Sequence, residues 1–180
     1  MRMVFNSISV PAVMTTSDES VVKPGWRFLF SHPAHLLAFG FGSGLAGTAP
    51  GTFGTLAAFP LYWLLAPLLS DQLFMLMLIL AFAAGVWVCG KTGKALGVAD
   101  YGGIVWDEIV SFMLVLFFTP PGWYWSLLAF ALFRFFDIVK PPPIRYFDSN
   151  WHGGLGVMFD DLLAAGYALL CMALIRSVLP

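Results

Sequence analysis

Between Asp100 and Asp161 a largely apolar chain carries seven carboxylates: Asp100, Asp107, Glu108, Asp137, Asp148, Asp160 and Asp161. Three cations, Arg134, Lys140 and Arg145, lie among them. A charge at the centre of a membrane helix costs roughly 2.5 to 3.5 kcal/mol, and less toward the helix ends. Charges placed there line a pathway or a site. Many acids with few bases suit a hard cation held by oxygen ligands beside an anionic substrate. Four of the acids come as neighbouring pairs, Asp107–Glu108 and Asp160–Asp161, near the start of apolar stretches. Adjacent helical residues point about 100° apart. At most one acid of each pair is therefore expected to face a shared ion, leaving its neighbour to orient a water or a base. Acids also favour helix N-termini through the helix dipole, but two such pairs at one membrane depth weigh against that explanation.

Arg134, Asp137 and Lys140 recur every three residues and are expected on one broad helix face. Arg suits bidentate phosphate recognition and Lys acts as a point charge; an internal ion-pair stack is the structural alternative. Pro141, Pro142 and Pro143 should end that helix and turn the next loop back over the site. Residues 40–55, GFGSGLAGTAPGTFGT, could turn backbone N–H groups toward an anion, with Ser43, Thr48, Thr52 and Thr55 as hydroxyl donors. Turns and close helix contacts are the other use of such glycines. His152, in Asn150-Trp-His-Gly-Gly, is a candidate proton donor.

The elements that must carry these residues are apolar helices. Hydrophobic residues make up 59% and charged residues 11% of the 180-residue chain, and its mean hydropathy is +0.84, far from the soluble norm. The reading is an all-α, polytopic membrane helical bundle of about four to five spans, with the Gly-rich segment before the first. Candidate spans cover residues 52–70, 72–90, 104–119, 123–139 and 157–179, against about 20 residues needed to cross a hydrocarbon core. Pro60 and Pro67 should kink the first span or delay its start. Residues 1–31 lack a continuous apolar run, so no cleavable signal peptide is expected. They read as a mobile or interfacial arm, and residues 32–180 as the membrane-embedded domain. Cys89 and Cys171 have no metal-ligand spacing and read as buried hydrophobes.

Lys and Arg residues fall in the N-terminal arm and in loops 91–103 and 140–156 and are absent from the alternate connections, with Arg176 the exception. The positive-inside rule places those loops in the cytoplasm, which gathers the acids on that face. The net charge of −1 gives no reason to expect nucleic acid. The type 2 phosphatidic-acid phosphatase triad, the haloacid-dehalogenase nucleophile, the CDP-alcohol phosphotransferase signature, the Walker loop and the Rossmann glycines are all absent.

Taken in order, five pieces of the chain closely resemble the phosphatidylglycerophosphatase A family. They are Gly40-Phe-Gly-Ser-Gly-Leu, Ala49-Pro-Gly-Thr-Phe-Gly-Thr-Leu-Ala-Ala, Val105-Trp-Asp-Glu, Phe133-Arg-Phe-Phe-Asp-Ile-Val-Lys-Pro, and Phe147-Asp-Ser-Asn-Trp-His-Gly-Gly-Leu-Gly-Val-Met-Phe-Asp-Asp. The resemblance implies a Mg²⁺-dependent phosphatase of the bacterial inner membrane, removing the terminal phosphate of phosphatidylglycerophosphate to give phosphatidylglycerol. Its partner would be the phospholipid substrate in the membrane; oligomeric state stays open. Carried onto this chain, it implies Asp107, Glu108, Asp160 and Asp161 as metal and catalytic acids. Arg134, Asp137, Lys140, Arg145, Asp148, Asn150 and His152 would complete the site, and attack by water is expected because no nucleophile signature stands out. The rival from another class is a small ion or proton-coupled transporter, since intramembrane acids also mark ion pathways.

Overall fold

The computed structural model describes residues 24–178, and among these every regular element is helical. The expected arm lies mostly outside the described residues; its last part forms a short helix, α1 (Trp26–Ser31), followed by α2 (Pro33–Ala38). A 3₁₀ segment, Gly40–Leu45, leads to α3 (Pro50–Leu65), which tightens into 3₁₀ over Ala66–Leu68. Then come α4 (Asp71–Leu96), α5 (Trp106–Phe118), α6 (Trp123–Val139), α7 (Ile144–Asn150) and α8 (Gly154–Val178).

Three helices are long and apolar enough to cross a bilayer: Pro50–Leu68, Asp71–Leu96 and Gly154–Val178. Their outer faces carry exposed Trp63, Leu64, Leu76, Ile79, Leu80, Leu170 and Leu174. Such continuous oil on the outside is the mark of a lipid-facing surface. The expected third and fourth spans form shorter helices, α5 with 13 residues and α6 with 17. At 1.5 Å per residue α5 reaches only about 20 Å. It stands at the centre, packed by α3, α4, α6 and α8, and buries Asp107 to Met113, Val115 and Leu116. A helix sheathed by protein need not match the lipid thickness.

α3 starts at Pro50, a position where the missing N–H has no helical partner in any case. It runs on through Pro60, and the helix gives way to 3₁₀ at the segment that holds Pro67. α4 is capped by Ser70, whose Oγ accepts from the Leu73 N–H at 3.4 Å, and ends at Gly97 in the left-handed conformation (φ 72°). The three-proline run ends α6 as expected, with Lys140 as its left-handed C-cap (φ 45°). The chain then returns as α7 against α8.

Candidate active site

Close backbone approaches bring five segments to one end of the bundle. A Cβ on Gly154 would collide with the Val86 carbonyl, so glycine lets the start of α8 press onto α4. The Trp106 indole N–H donates to Ala81 O at 3.1 Å, and Val105 N–H donates to Ala38 O at 2.8 Å. These two bonds fix the first turn of α5 against α4 and α2. A Cβ on Gly51, in the first turn of α3, would strike Glu108 Oε1 and lie 3.2 Å from both Arg134 terminal nitrogens. The backbone of α3 is thus the wall of the site.

Into that end project Asp107 and Glu108 from α5 and Asp161 from α8. Each offers a carboxylate oxygen, and these oxygens lie within 4.8 Å of one another. All three residues are buried. Asp107 Oδ1, Glu108 Oε2 and Asp161 Oδ2 have no hydrogen-bond partner. Asp107 and Asp161 join no ion pair among the described residues, and Glu108 reaches only Arg134 Nη1, at 3.7 Å. Buried carboxylates without compensation are expensive. Three converging oxygens fit a hard divalent cation, which takes ligands of this kind. Mg²⁺ fits this donor set.

Both acids of the first pair reach this point, correcting the expectation that only one could. The physical reason is length: the additional methylene of Glu108 carries its carboxylate around the helix to meet that of Asp107. In the second pair only Asp161 joins the trio, and Asp160, also expected among the metal acids, does not. Asp160 stands outside the trio; its Oδ2 accepts from Lys140 Nζ at 2.5 Å, and its Oδ1 accepts from the Asp161 N–H at 3.1 Å.

Two ion-paired groups flank the trio. Arg134 Nη1 lies 2.6 Å from Asp137 Oδ2 and donates to Thr55 Oγ1 at 3.3 Å; Thr55 in turn donates to Gly51 O at 2.8 Å. Arg134 Nε is buried and unpartnered. Lys140 does not share that face. Its left-handed backbone turns Nζ toward Asp148 Oδ1 at 2.6 Å and toward Asp160. Burial disfavours its charge, but the hydrogen bonds it donates to Asp148 and Asp160 outweigh burial and hold the ammonium above its ordinary range. His152 is exposed and lines a small cavity of about 40 Å³ with Asp100, Asp148 and Asp160.

Other expected residues lie apart from the trio. Ser43 Oγ donates to Gly40 O at 2.9 Å within its own turn. Thr52, in the first turn of α3, has no side-chain hydrogen bond among the described residues, and its neighbour Thr55 makes the contact instead. Arg145 is exposed with no ion pair among the described residues, and Asn150 Nδ2 donates to Tyr146 O at 2.7 Å in its own helix. Within residues 40–47, Gly44 serves close packing, since a Cβ there would meet the Gly103 carbonyl, and Gly40 and Gly42 take positive φ. Sequence reasoning took Gly51 only as one glycine of the 40–55 segment and passed over Ser111. Ser111 lies four residues after Asp107, and its buried hydroxyl is also unpartnered; that spacing was the available signal.

Residues 36–176 match the family model described as phosphatidylglycerophosphatase A. The chain belongs to the phosphatidylglycerophosphatase A family. A Haemophilus influenzae phosphatidylglycerophosphatase A is 51% identical over 146 residues, covering 81% of this chain and 90% of the relative. The Escherichia coli protein of that name is 48% identical over 139 residues, 77% of this chain and 80% of the relative. A Bacteroides thetaiotaomicron protein named as a putative phosphatidylinositol-3-phosphatase is 40% identical over 151 residues, covering 80% and 94%. No solved structure matches. Membership of the phosphatidylglycerophosphatase A family makes the chain a phosphatase, and the matched region contains the whole acid cluster.

Proposed function

We propose that the chain hydrolyses the terminal phosphomonoester of phosphatidylglycerophosphate, giving phosphatidylglycerol and inorganic phosphate, in a bacterial inner membrane with the site on the cytoplasmic side. The single observation that carries the reading is the trio of buried carboxylates at one end of the bundle, two of them without an ion pair among the described residues. Family relatives named for that activity support it, and the distribution of Lys and Arg supports the orientation.

Asp107, Glu108 and Asp161 would hold Mg²⁺, which supplies polarisation of a phosphoryl oxygen and acidification of water. The chain's own groups supply the rest. Arg134 is fixed by Asp137 and Thr55, leaving its buried Nε as a donor for a phosphate oxygen. Lys140, fixed between two acids, adds positive potential at the same end. His152, exposed beside Asp148 and Asp160, would deliver a proton to the leaving alkoxide.

A transporter reading is not favoured. A cavity of about 570 Å³ lies at the opposite end against Phe118, Pro120, Leu169 and Met172, with Arg176 and no carboxylate. Between that cavity and the acids, α5 buries Ile109, Val110, Phe112, Met113, Val115 and Leu116.

The test is inorganic phosphate release from phosphatidylglycerophosphate, compared with phosphatidic acid and phosphatidylinositol 3-phosphate. Each substrate is run with Mg²⁺, with EDTA, and with Mg²⁺ restored. Release that prefers the first substrate, stops with EDTA and returns with Mg²⁺ is expected. Full release in EDTA removes the metal role, and no release from any substrate removes the reading.

A further inference from the structure

The last turns of α4 carry a cluster of bases that the acid site does not use. Counted from Asp71, the 26 residues of α4 reach about 39 Å, about 9 Å more than a hydrocarbon core of about 30 Å. The excess is the final turn and a half, which opens with Lys91 and belongs at head-group depth. Cys89, two residues earlier, is buried against Met158. Two residues turn a helix by about 200°, so Lys91 points away from the interior, toward α2 and the exposed Trp87.

Lys91 Nζ lies 2.7 Å from His32 Nε2 and 5.0 Å from the centre of the Trp87 ring. It joins no ion pair among the described residues. His32 is the N-cap of α2, and its Nδ1 accepts from the Ala34 N–H at 3.0 Å. A neutral imidazole that accepts at Nδ1 carries its proton on Nε2, and a lysine ammonium has donors only. Two donors therefore face each other with no acceptor between them. Taking a proton from Lys91 would relieve the contact but lose the cation–π interaction with Trp87. An anion that accepts from both relieves it and keeps that interaction. The neighbouring His35 is already committed: it is buried, and its Nδ1 is 3.0 Å from Thr92 Oγ1, which donates to Ala34 O at 3.5 Å.

We propose that Lys91 and His32, beside Trp87, form a head-group site for an anionic phospholipid of the bilayer, separate from the acid trio and independent of the reaction there. A phosphodiester oxygen accepts from Lys91 Nζ and from His32 Nε2–H, with the flexible lysine stem turning to admit it. A bilayer lipid is the ligand because the cluster opens on a membrane-spanning helix. Trp87, 59% exposed and one turn deeper, presents an indole to the interfacial layer. Lys94, exposed three residues beyond Lys91, adds positive potential at the same rim. A choline lipid is disfavoured, since its quaternary ammonium would meet these cations.

The test uses the full-length protein in phosphatidylcholine nanodiscs doped with a phosphatidylglycerol that carries a diazirine near the ester end of one acyl chain. After irradiation, labelled residues are mapped by peptide mass spectrometry. Label is expected on α2 and α4 around His32 and Trp87, and it should weaken in high salt. Phosphatidylcholine with the same diazirine should label there about fivefold less, and inorganic phosphate in excess should leave the anionic-lipid label in place. Lys91→Gln should lower that label about fivefold, the affinity that one basic residue adds at an anionic surface; Lys91→Arg should keep it. His32→Asn retains an N-cap acceptor and withdraws the Nε2 donor, so it should lower the label as well. Equal labelling by the two lipids, absence of label at this rim, undiminished label in both Lys91→Gln and His32→Asn, or displacement by inorganic phosphate overturns the proposal. The comparison of lipids on wild-type protein decides even if a variant fails to fold, and lipid held at the acid site is read on different peptides, those of α5 and α8.

Discussion

Asp161 and Asp107 face each other without a cation between them among the described residues, an arrangement unfavourable to the folded state by itself. Asp161→Asn keeps the shape and removes a charge. It should lower phosphate release by about a hundredfold or more, while the unfolding midpoint in EDTA stays level or rises, as is usual when an activity-related strain is relieved. A parallel fall in stability and activity would place Asp161 in a structural role. Gly51 makes a second residue-scale case. Its missing side chain leaves room for Glu108 and Arg134, so Gly51→Ala should displace them and cost on the order of a hundredfold in kcat with secondary structure unchanged by circular dichroism. The acids were legible in the sequence because a carboxylate among apolar residues demands an explanation. Gly51 and Ser111 were not, since a hydrogen and a small hydroxyl announce nothing until their neighbours are known. Thr52 and Thr55 show the same limit: both are threonines of one helix start, and only the three-dimensional turn of α3 decides which meets Arg134.

At the scale of elements, Lys140 is the clasp that ties the end of α6 to α7 through Asp148 and to α8 through Asp160. Lys140→Met leaves both acids unpaired and should destabilise the protein by about 2 kcal/mol, the lower part of the range for a broken ion pair because the site keeps some solvent. The double variant Lys140→Met/Asp160→Asn should recover part of that loss, measured by thermal unfolding in detergent. Equal losses in single and double variants would show that the pair carries no coupling. The proline run that places this clasp was readable, as was α6, because three consecutive prolines cannot continue a helix. The fate of Lys140 was not: its every-third spacing with Arg134 and Asp137 holds only while the helix lasts, and the left-handed cap turns it elsewhere. α5 was readable as a helix but not as a buried one, since apolar residues on all sides suit lipid and protein surroundings equally.

For the molecule as a whole, the α2–α4 contact makes stability depend on pH. His35 is buried, its Nδ1 is 3.0 Å from Thr92 Oγ1, and the Phe28 ring stacks on it at 4.4 Å. Burial, then the neighbouring His32 and Lys91, hold its pKa below the ordinary 6.5. The folded state thus binds this proton less readily than the unfolded chain. Stability from this contact is complete above about pH 6.5 and declines as pH falls below it toward the lower folded value. The unfolding midpoint should drop between about pH 7.5 and 5.5, and His35→Gln should flatten that slope; an unaltered slope would assign the dependence to other groups.

The central position of α5 also bears on how the protein enters its membrane. With 13 residues and two acids in its first turn, that segment is a poor candidate for insertion unaided, being well short of the roughly 20 residues a lone crossing requires. Its entry is expected to be coupled to the docking of its long neighbours. On that expectation the carboxylates would pass from water to a protein-lined interior without meeting hydrocarbon, and the trio would form only with the finished bundle.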